Sequence, residues 1–246
     1  MNSATPRHQT AAILIIGNEV LSGRTREANA WLAAQKLFEK GCKLREIAVV
    51  ADRHEDIVST LHRLRSRYDA VITSGGIGPT HDDITMDAVS DCFGVRLLEH
   101  EETMQKLHER YGDALNAGRR RMARLPEGAA PILCEASFMP GAHISNVYVL
   151  AGVPSIFASQ LDSFLNDFGG LPFLRQELAV QLPESVFAQA LTEIQAQFDD
   201  VEIGSYPTTC SQHPSGKICL SSQQPAQLNA AFVAVERMIQ TLLENR

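Results

Sequence analysis

The chain has 246 residues, of which 44% are hydrophobic and 21% are charged. This length and composition are typical of a folded globular protein, as one large domain or a main domain with a smaller one, and they exclude a disordered chain. The formal net charge of −7 argues against a protein that coats a nucleic acid backbone, so no nucleic acid partner is expected.

Strands and helices alternate along the first two thirds of the chain, which favours βαβ units and a mostly parallel sheet. The apolar run 11–16, closed by Gly17, is typical of a strand buried on both faces. Helices are predicted where apolar residues recur at helical spacing. The predicted order is strand 11–16, helix 27–40, strand 44–50, helix 55–67, strand 70–73, a helix capped by Asp83 or Thr85 and ending at Asp91, strand 95–98, a helical stretch 99–124, strands 131–134 and 147–150 flanking a turn at 139–142, and helix 155–168.

The Gly-Gly-Leu-Pro segment at 169–172 predicts a boundary between two domains. Beyond it the pattern predicts strand 174–182, helix 184–198, strands 201–204 and 218–222, and helix 226–243. We therefore predict an α/β domain over residues 1–170 and a small α+β domain of βαββα order over residues 171–246.

The glycine-rich loop after strand 70–73 is the most informative segment. It places Gly75, Gly76 and Gly78 at the carboxyl end of a predicted parallel strand, where open α/β sheets bind ligands. Glycines let backbone N–H groups approach a phosphate, and the following helix N-terminus attracts negative charge. The loop therefore predicts phosphate binding, with a tight turn without ligand as the alternative. It matches neither the dinucleotide glycine motif nor a Walker motif.

Acidic residues accompany this loop. Asp82 and Asp83 follow it directly, while Glu19 and Asp52 follow the two preceding strands and share their sheet edge if the βαβ order holds. Carboxylates beside a phosphate repel it unless a metal ion lies between them or they act on a proton. The pattern therefore indicates catalysis or a Mg²⁺-type bridge, although Asp52 alone is equally suited to capping the next helix.

Three further positions have two interpretations each. Asn29, on the first turn of a helix, either reaches the ligand or caps the helix. His81 is a loop residue that could contact ligand. The basic cluster Arg119–Arg121, with Arg124, either binds an anion or is a solvated helix surface, and the surface interpretation is favoured.

The five cysteines include no Cys-x-x-Cys pair and are odd in number, so neither a zinc site nor a full disulfide framework is expected. No apolar run reaches the length of a transmembrane helix, and residues 1–10 lack the apolar core of a signal peptide. A cytoplasmic protein without a membrane partner is expected.

Two motifs are distinctive: Gly-Gly-Ile-Gly-Pro-Thr-His-Asp-Asp-Ile-Thr at 75–85 and Gly-Ser-Tyr-Pro at 204–207. Further positions that contribute to the same pattern are residues 16–19, 21, 23, 29, 52, 125–128, 139–141 and 150–154. In these motifs the chain resembles the molybdopterin-binding domain family represented by MogA and MoaB. It is most similar to the CinA-type branch and to the N-terminal domain of eukaryotic FAD synthases.

The resemblance implies a three-layer α/β/α fold that binds molybdopterin or an adenine nucleotide, often as a homo-oligomer. In MogA-type members the aspartates matching Asp52 and Asp83 serve the adenylylation of molybdopterin. CinA-type members are associated with metal-dependent cleavage of the pyrophosphate in ADP-ribose or FAD. Asp52 and Asp83 are thus the expected catalytic residues and candidate ligands of Mg²⁺ or a similar divalent ion. The expected ligand-binding residues are Gly17, Glu19, Asn29, Ser74, Gly75, Gly76, Gly78, Pro79, Thr80, Asp82, Thr85, Pro140 and Gly141.

The chain departs from the family pattern in three places. Asn18 stands where many relatives have Asp, segment 134–138 replaces an Asn-rich approach to Pro-Gly, and Ala151 replaces a proline. The leading hypothesis is a metal-assisted nucleotide pyrophosphatase acting on an ADP-ribose- or FAD-like substrate. The alternatives are a non-catalytic molybdopterin- or nucleotide-binding protein and a molybdopterin adenylyltransferase. Nicotinamide-mononucleotide deamidation is not expected, because the amidohydrolase domain of full CinA proteins is not seen.

Overall fold

The computed structural model describes residues 8–208 and 215–244, and the chain divides into two compact units between Gly170 and Leu171. The elements of the first unit are β1 Thr10–Ile16, α1 Asn18–Leu21, α2 Asn29–Glu39, β2 Lys43–Val50, α3 His54–Arg67, β3 Ala70–Ser74, α4 Thr85–Phe93, β4 Leu97–Glu99, α5 Glu101–Tyr111, α6 Ala117–Arg121, β5 Arg124–Pro126, β6 Ala130–Cys134, β7 Ser137–Ile144, β8 Val147–Leu150 and α7 Pro154–Phe164. Short 3-10 turns lie at Gly112–Ala114 and Leu165–Asp167.

The main sheet of this unit has the strand order β2-β1-β3-β8-β7-β6. Strands β2, β1, β3 and β8 are parallel, whereas β7 and β6 add on as antiparallel strands. Strands β4 and β5 pair separately. The prediction of a mostly parallel sheet is confirmed, and the carboxyl ends of the four parallel strands lie at one edge.

Strand β1 is central and buried on both faces, which explains its continuous apolar sequence. Because side chains alternate along a strand, Ile13 and Ile15 pack with helices α2 and α7 on one face. Leu14 and Ile16 pack with α3 and α4 on the other face. Helices therefore cover both faces of the sheet, as the three-layer prediction requires.

The second unit contains β9 Leu174–Val180, α8 Glu184–Gln195, β10 Glu202–Thr208, β11 Ser215–Ser222 and α9 Pro225–Glu244. Its antiparallel sheet has the order β10-β11-β9, and its own apolar core includes Phe187, Ile218 and Val235. The predicted βαββα order is confirmed. In the part of the chain that the structure describes, no helix has the length and apolarity needed to cross a membrane.

The predicted turn at residues 139–142 is wrong, because these residues lie inside strand β7. Proline and glycine suggested a turn, but Pro140 has no registered partner in β6 or β8. It faces the irregular part of the β6 pairing, between Ile132 and Cys134, where the missing N–H removes no ladder hydrogen bond.

Two predicted helix caps are also wrong. Helix α4 begins at Thr85, its N-cap is Ile84, and no side chain caps it. The hydroxyl of Thr85 instead donates to the carbonyl of Gly75 over 2.8 Å. Helix α3 has Arg53 as its N-cap, again without a side-chain cap, so the capping role weighed for Asp52 is not found.

Candidate functional site

The ends of three neighbouring parallel strands bring the predicted acidic and glycine residues to one edge of the sheet. Glu19 follows β1, Asp52 follows β2, and the glycine-rich loop follows β3, with β1 lying between the other two strands. The carboxylate Oδ2 of Asp52 accepts a 2.7 Å hydrogen bond from the backbone N–H of Asn18. This contact links the ends of β1 and β2 directly.

The glycine-rich loop adopts a conformation that requires glycine at its first two positions. Gly75 has φ 105° and Gly76 has φ 68°, both in the region that side chains disfavour. A Cβ on Gly75 would collide with the carbonyl oxygen of Ile16, and one on Gly76 would collide with the Thr85 hydroxyl. The backbone N–H of Thr85 donates to Gly76 over 2.9 Å. The loop is therefore held between β1 and the start of α4.

Three consecutive backbone N–H groups of this loop are available to a ligand. Those of Gly76, Ile77 and Gly78 donate to no other group in residues 8–208 and 215–244. The loop precedes the N-terminus of the nine-residue helix α4, whose dipole also favours an anion. Successive N–H groups in such a loop form a concave site suited to phosphate oxygens.

The side chain of Asp83 stabilises the end of the loop through two hydrogen bonds. Its Oδ2 accepts hydrogen bonds from the backbone N–H and the hydroxyl of Thr80, over 2.8 Å and 2.6 Å. A Cβ on Gly78 would lie 2.7 Å from the same oxygen, so glycine is needed for this close approach. Oδ1 has no hydrogen-bond partner among the described residues, and Asp83 also faces the cavity described next.

A cavity of about 480 Å³ opens beside the loop. One part of its lining consists of loop residues 75–78 together with Glu19 and Asp83. Another part is apolar, is formed by Met122, Met139, Pro140, Val153 and Ile156, and includes the amide residue Gln160. The cavity volume falls within the range of small-molecule sites, and the two parts of the lining suit a phosphate and a planar ring respectively.

The buried side chain of Asn29 joins two loops at this edge of the sheet by hydrogen bonds. Its Nδ2 donates to the hydroxyl of Ser74 and to the carbonyl of Gly152, both over 2.9 Å. The cap weighed for Asn29 is supplied instead by Glu27, which accepts from the backbone N–H groups of Asn29 and Ala30. Asn29 thus supports the site without lining the cavity.

The structure divides the predicted site residues into two groups. Those lining the cavity are Glu19, Gly75, Gly76, Gly78, Pro79, Asp83 and Pro140. Those lying outside its lining are Gly17, Asn29, Asp52, Ser74, Thr80, Asp82, Thr85 and Gly141. The lining residues that were not among the predicted site residues are Ile77, Met122, Ser137, Met139, Ala151, Gly152, Val153, Ile156 and Gln160. The spacing of Gln160 with Phe157, Leu161 and Phe164 could have revealed it, since it puts a polar residue on the buried face of α7.

Burial raises the pKa of Asp52, the negative charges of Glu19 and Asp82 raise it further, and the hydrogen bond from Asn18 acts in the opposite direction. The site therefore disfavours a second negative charge in the absence of a counter-ion.

A divalent ion remains a prediction. The described residues contain no cluster of three or more His, Cys, Asp or Glu side chains arranged to hold a metal. Mg²⁺ commonly binds through one or two carboxylates together with water and substrate phosphate. Of the two candidate ligands from the sequence, Asp83 lines the cavity and Asp52 does not; Glu19 lines it with Asp83 beside loop residues 76–78, so the residues present fit an ion of this kind.

The basic cluster Arg119–Arg121 has partners within the protein. Arg119 lies 4.1 Å from the ring centre of Tyr111, Arg120 contacts Glu99 at 3.0 Å, and Arg121 contacts Asp87 at 3.4 Å. These contacts favour the structural interpretation of the cluster. The side chain of His81 is 99% exposed and does not line the cavity.

Comparisons with known proteins identify the family of each unit. A family model described as "Probable molybdopterin binding domain" matches residues 12–176, and one described as "FAD synthase, middle domain" matches residues 172–245. A CinA protein of unknown function from Thermoplasma acidophilum has a similar structure, with a TM-score of 0.61 and 31% identity over 65% of this chain and 98% of that one.

Two relatives in sequence differ in how much of them the chain covers. It is 35% identical to the protein TK1472 of Thermococcus kodakarensis, over 80% of this chain and 85% of that protein. It is 30% identical to a probable FAD synthase of Caenorhabditis elegans over 95% of its own length, but spans 50% of that relative.

Proposed function

Because the chain belongs to the molybdopterin-binding domain family, in its CinA-like branch, we propose that it is a metal-dependent nucleotide pyrophosphatase. Its substrate is ADP-ribose- or FAD-like and binds in the cavity of the first unit. The observation that carries this proposal is that Gly76, Ile77 and Gly78, whose N–H groups have no partner among the described residues, line a cavity together with apolar side chains.

Binding follows from the two parts of the cavity lining. The loop N–H groups donate hydrogen bonds to the phosphate oxygens, and the apolar part of the lining, which includes Met139 and Ile156, takes the planar ring. An FAD-like substrate is supported by the match of residues 172–245 to the middle domain of FAD synthase.

The reaction is attack of water on one phosphorus of the pyrophosphate. A new P–O bond forms, the bridging P–O bond breaks, and the products are AMP with ribose 5-phosphate or with FMN. Glu19 and Asp83, which line the cavity, would hold a divalent ion, and the ion would supply positive charge that neutralises the phosphates. Asp52, whose pKa is raised by burial, lies outside the cavity lining, so it would accept the proton of the attacking water through one intervening water molecule. Its hydrogen bond from the Asn18 N–H holds it next to the segment that carries Glu19.

A binding protein without catalysis is the second candidate. It is favoured by the position of Asp52, which lies outside the cavity lining although it is an expected catalytic residue. Such a protein would hold a pterin or nucleotide in the same cavity and release it unchanged. A homo-oligomer remains a further expectation, which light scattering on the purified chain tests.

The two candidates separate in one assay. The full chain is incubated with ADP-ribose or FAD, with Mg²⁺, Mn²⁺, Co²⁺ or chelator, and release of AMP is followed by chromatography. Asp83→Ala is compared with Asp113→Asn, an exposed carboxylate of a 3-10 turn away from the cavity lining. Metal-dependent AMP release that Asp83→Ala abolishes supports the pyrophosphatase. Ligand binding without AMP release supports the carrier, and neither binding nor release rejects both.

A further inference from the structure

Gln160 is a buried amide at the edge of the cavity. It lies on α7, its side chain is 0% exposed, and it contributes to the cavity lining. Its Oε1 accepts a 2.9 Å hydrogen bond from the backbone N–H of Ala151. This bond fixes which end of the amide is the oxygen. Nε2 has no hydrogen-bond partner in the described part of the chain.

Packing alone does not account for this amide. Gln160 occupies the buried face of α7 together with Phe157, Leu161 and Phe164, all of which belong to the apolar core. A methionine at this position would fill a similar volume without leaving an unpaired N–H group. A buried donor without a partner destabilises the folded state, so it calls for an acceptor that a ligand can supply.

Strand β7 passes close to Nε2 at a glycine. Gly141 lies in β7, and a Cβ there would stand 3.3 Å from Nε2 and would also collide with the carbonyl of Val149. Pro140, the preceding residue, and Ile156, one turn earlier on α7, both belong to the apolar part of the cavity lining. A single donor among apolar residues is the usual means by which a pocket orients a ring.

We propose that Nε2 of Gln160 donates a hydrogen bond to an acceptor on the heterocycle of the ligand, either a ring carbonyl oxygen or an imino nitrogen. Gln160 is then a specificity-determining residue that selects ligands by a hydrogen bond to the ring, while the N–H groups of Gly76, Ile77 and Gly78 bind the phosphate. This inference rests on the proposed function, since it assumes that the ligand is a phosphorylated heterocycle bound in this cavity.

The test uses two substitutions and three probes. Gln160→Glu keeps an oxygen for the Ala151 N–H but replaces the Nε2 donor with a carboxylate oxygen. Gln160→Met removes both polar atoms. Affinities of the full chain for AMP, FMN and ribose 5-phosphate are measured by calorimetry without metal, and thermal melting monitors folding.

We expect Gln160→Glu to bind AMP or FMN about 10- to 100-fold more weakly at neutral pH, with ribose 5-phosphate affinity changed less than about threefold. Affinity for the ring-bearing probe should recover as pH falls, because a protonated glutamic acid can donate where the carboxylate cannot. Gln160→Met should lose the same selectivity without recovering it at low pH.

Three results overturn the inference. If both variants weaken all probes equally, Gln160 shapes the loop and does not bind the ring. If wild type prefers AMP and FMN over ribose 5-phosphate and both variants keep that preference, the ring lies elsewhere, although the phosphate site stands. If wild type binds none of the three probes, the proposed function fails together with the inference.

Discussion

The carboxylate of Asp52 and the backbone N–H of Asn18 are joined by a 2.7 Å hydrogen bond that connects the ends of two adjacent strands. The bond holds a partly buried negative charge close to Glu19, which lines the cavity. Asp52 is thus both fixed in position and unfavourably charged, a combination that suits a proton acceptor and makes its replacement informative.

Asp52→Asn should lower kcat by about 10²–10⁴-fold, the range of a general base, while leaving the affinity for AMP nearly unchanged. The asparagine oxygen can still accept from the Asn18 N–H, so the loop should keep its shape. Steady-state kinetics with ADP-ribose and calorimetry with AMP check both parts. A variant with wild-type kcat would remove Asp52 from the mechanism.

The same variant makes a prediction about stability. An acid whose pKa is higher in the folded protein than in the unfolded chain binds more protons when folded. The contribution of Asp52 to the free energy of unfolding therefore falls as pH rises from its ordinary range through the raised value. Relative to wild type, Asp52→Asn should gain in melting temperature across that window and hold the gain at neutral pH. An Asp52→Asn variant that is less stable than wild type at pH 7 would contradict a raised pKa for Asp52 in the folded protein.

Glu19→Gln should shift the acidic limb of the activity profile to lower pH. Because Glu19 is also a proposed metal ligand, the substitution should also raise the metal concentration needed for half-maximal rate, so the profile is recorded at saturating metal. The negative charge of Glu19 helps to raise the pKa of Asp52, so its removal lowers that pKa and lets Asp52 act as a base in more acidic solution. The pH dependence of kcat/KM for the two proteins tests this, with NMR titration of the Asp52 carboxyl as a direct measure. If the acidic limb of the kcat/KM profile lies at the same pH in both proteins, a group other than Asp52 controls that limb.

Asp83→Asn and Asp83→Ala should separate two roles of one side chain. Asparagine keeps an oxygen for the two hydrogen bonds from Thr80, so the loop and AMP binding should survive. The metal concentration needed for half-maximal rate should rise about tenfold or more, the factor for 1.4 kcal/mol of lost attraction. Alanine should also weaken AMP binding, because hydrogen bonds to a charged group contribute about 1.5–3 kcal/mol. An Asp83→Asn variant with the metal dependence of wild type would argue against the metal role, and equal AMP affinities of the two variants would argue against the loop role.

Gly75→Ala should destabilise the first unit by about 3 kcal/mol, since strain at positive φ adds to a collision with the Ile16 carbonyl. Gly94→Ala is the matched control. Gly94 has φ 66° and open space around a Cβ, so its cost should be about 1 kcal/mol. Urea denaturation of both variants measures the difference, and equal costs would mean that the contact relaxes easily.

The sequence predicted those features of the fold that depend on a short stretch of neighbouring residues. The apolar run of β1 predicted a doubly buried strand, and the glycines of the loop after β3 predicted its special backbone. Pro140 was misleading because the irregular pairing that accommodates a proline depends on the neighbouring strand, which local sequence does not show.

The apolar half of the cavity could not be predicted for a related reason. Met122, Met139 and Val153 come from distant parts of the chain, and each would fit an ordinary core. Gln160 is different, since its helical register already places an amide among phenylalanines. Its bond to Ala151 depends on β8 ending beside α7, which only the assembled sheet reveals.

The close approach of Gly152 to Gly75 has a consequence for how the ligand enters. A Cβ on Gly152 would lie 3.2 Å from the Cα of Gly75, and Asn29 also joins the Gly152 carbonyl to the hydroxyl of Ser74. The loop at Gly75 and the loop at Gly152 are therefore already packed together in the ligand-free protein. Association should therefore require little ordering entropy, and amide hydrogen exchange at Gly75 should already be slow in the ligand-free protein.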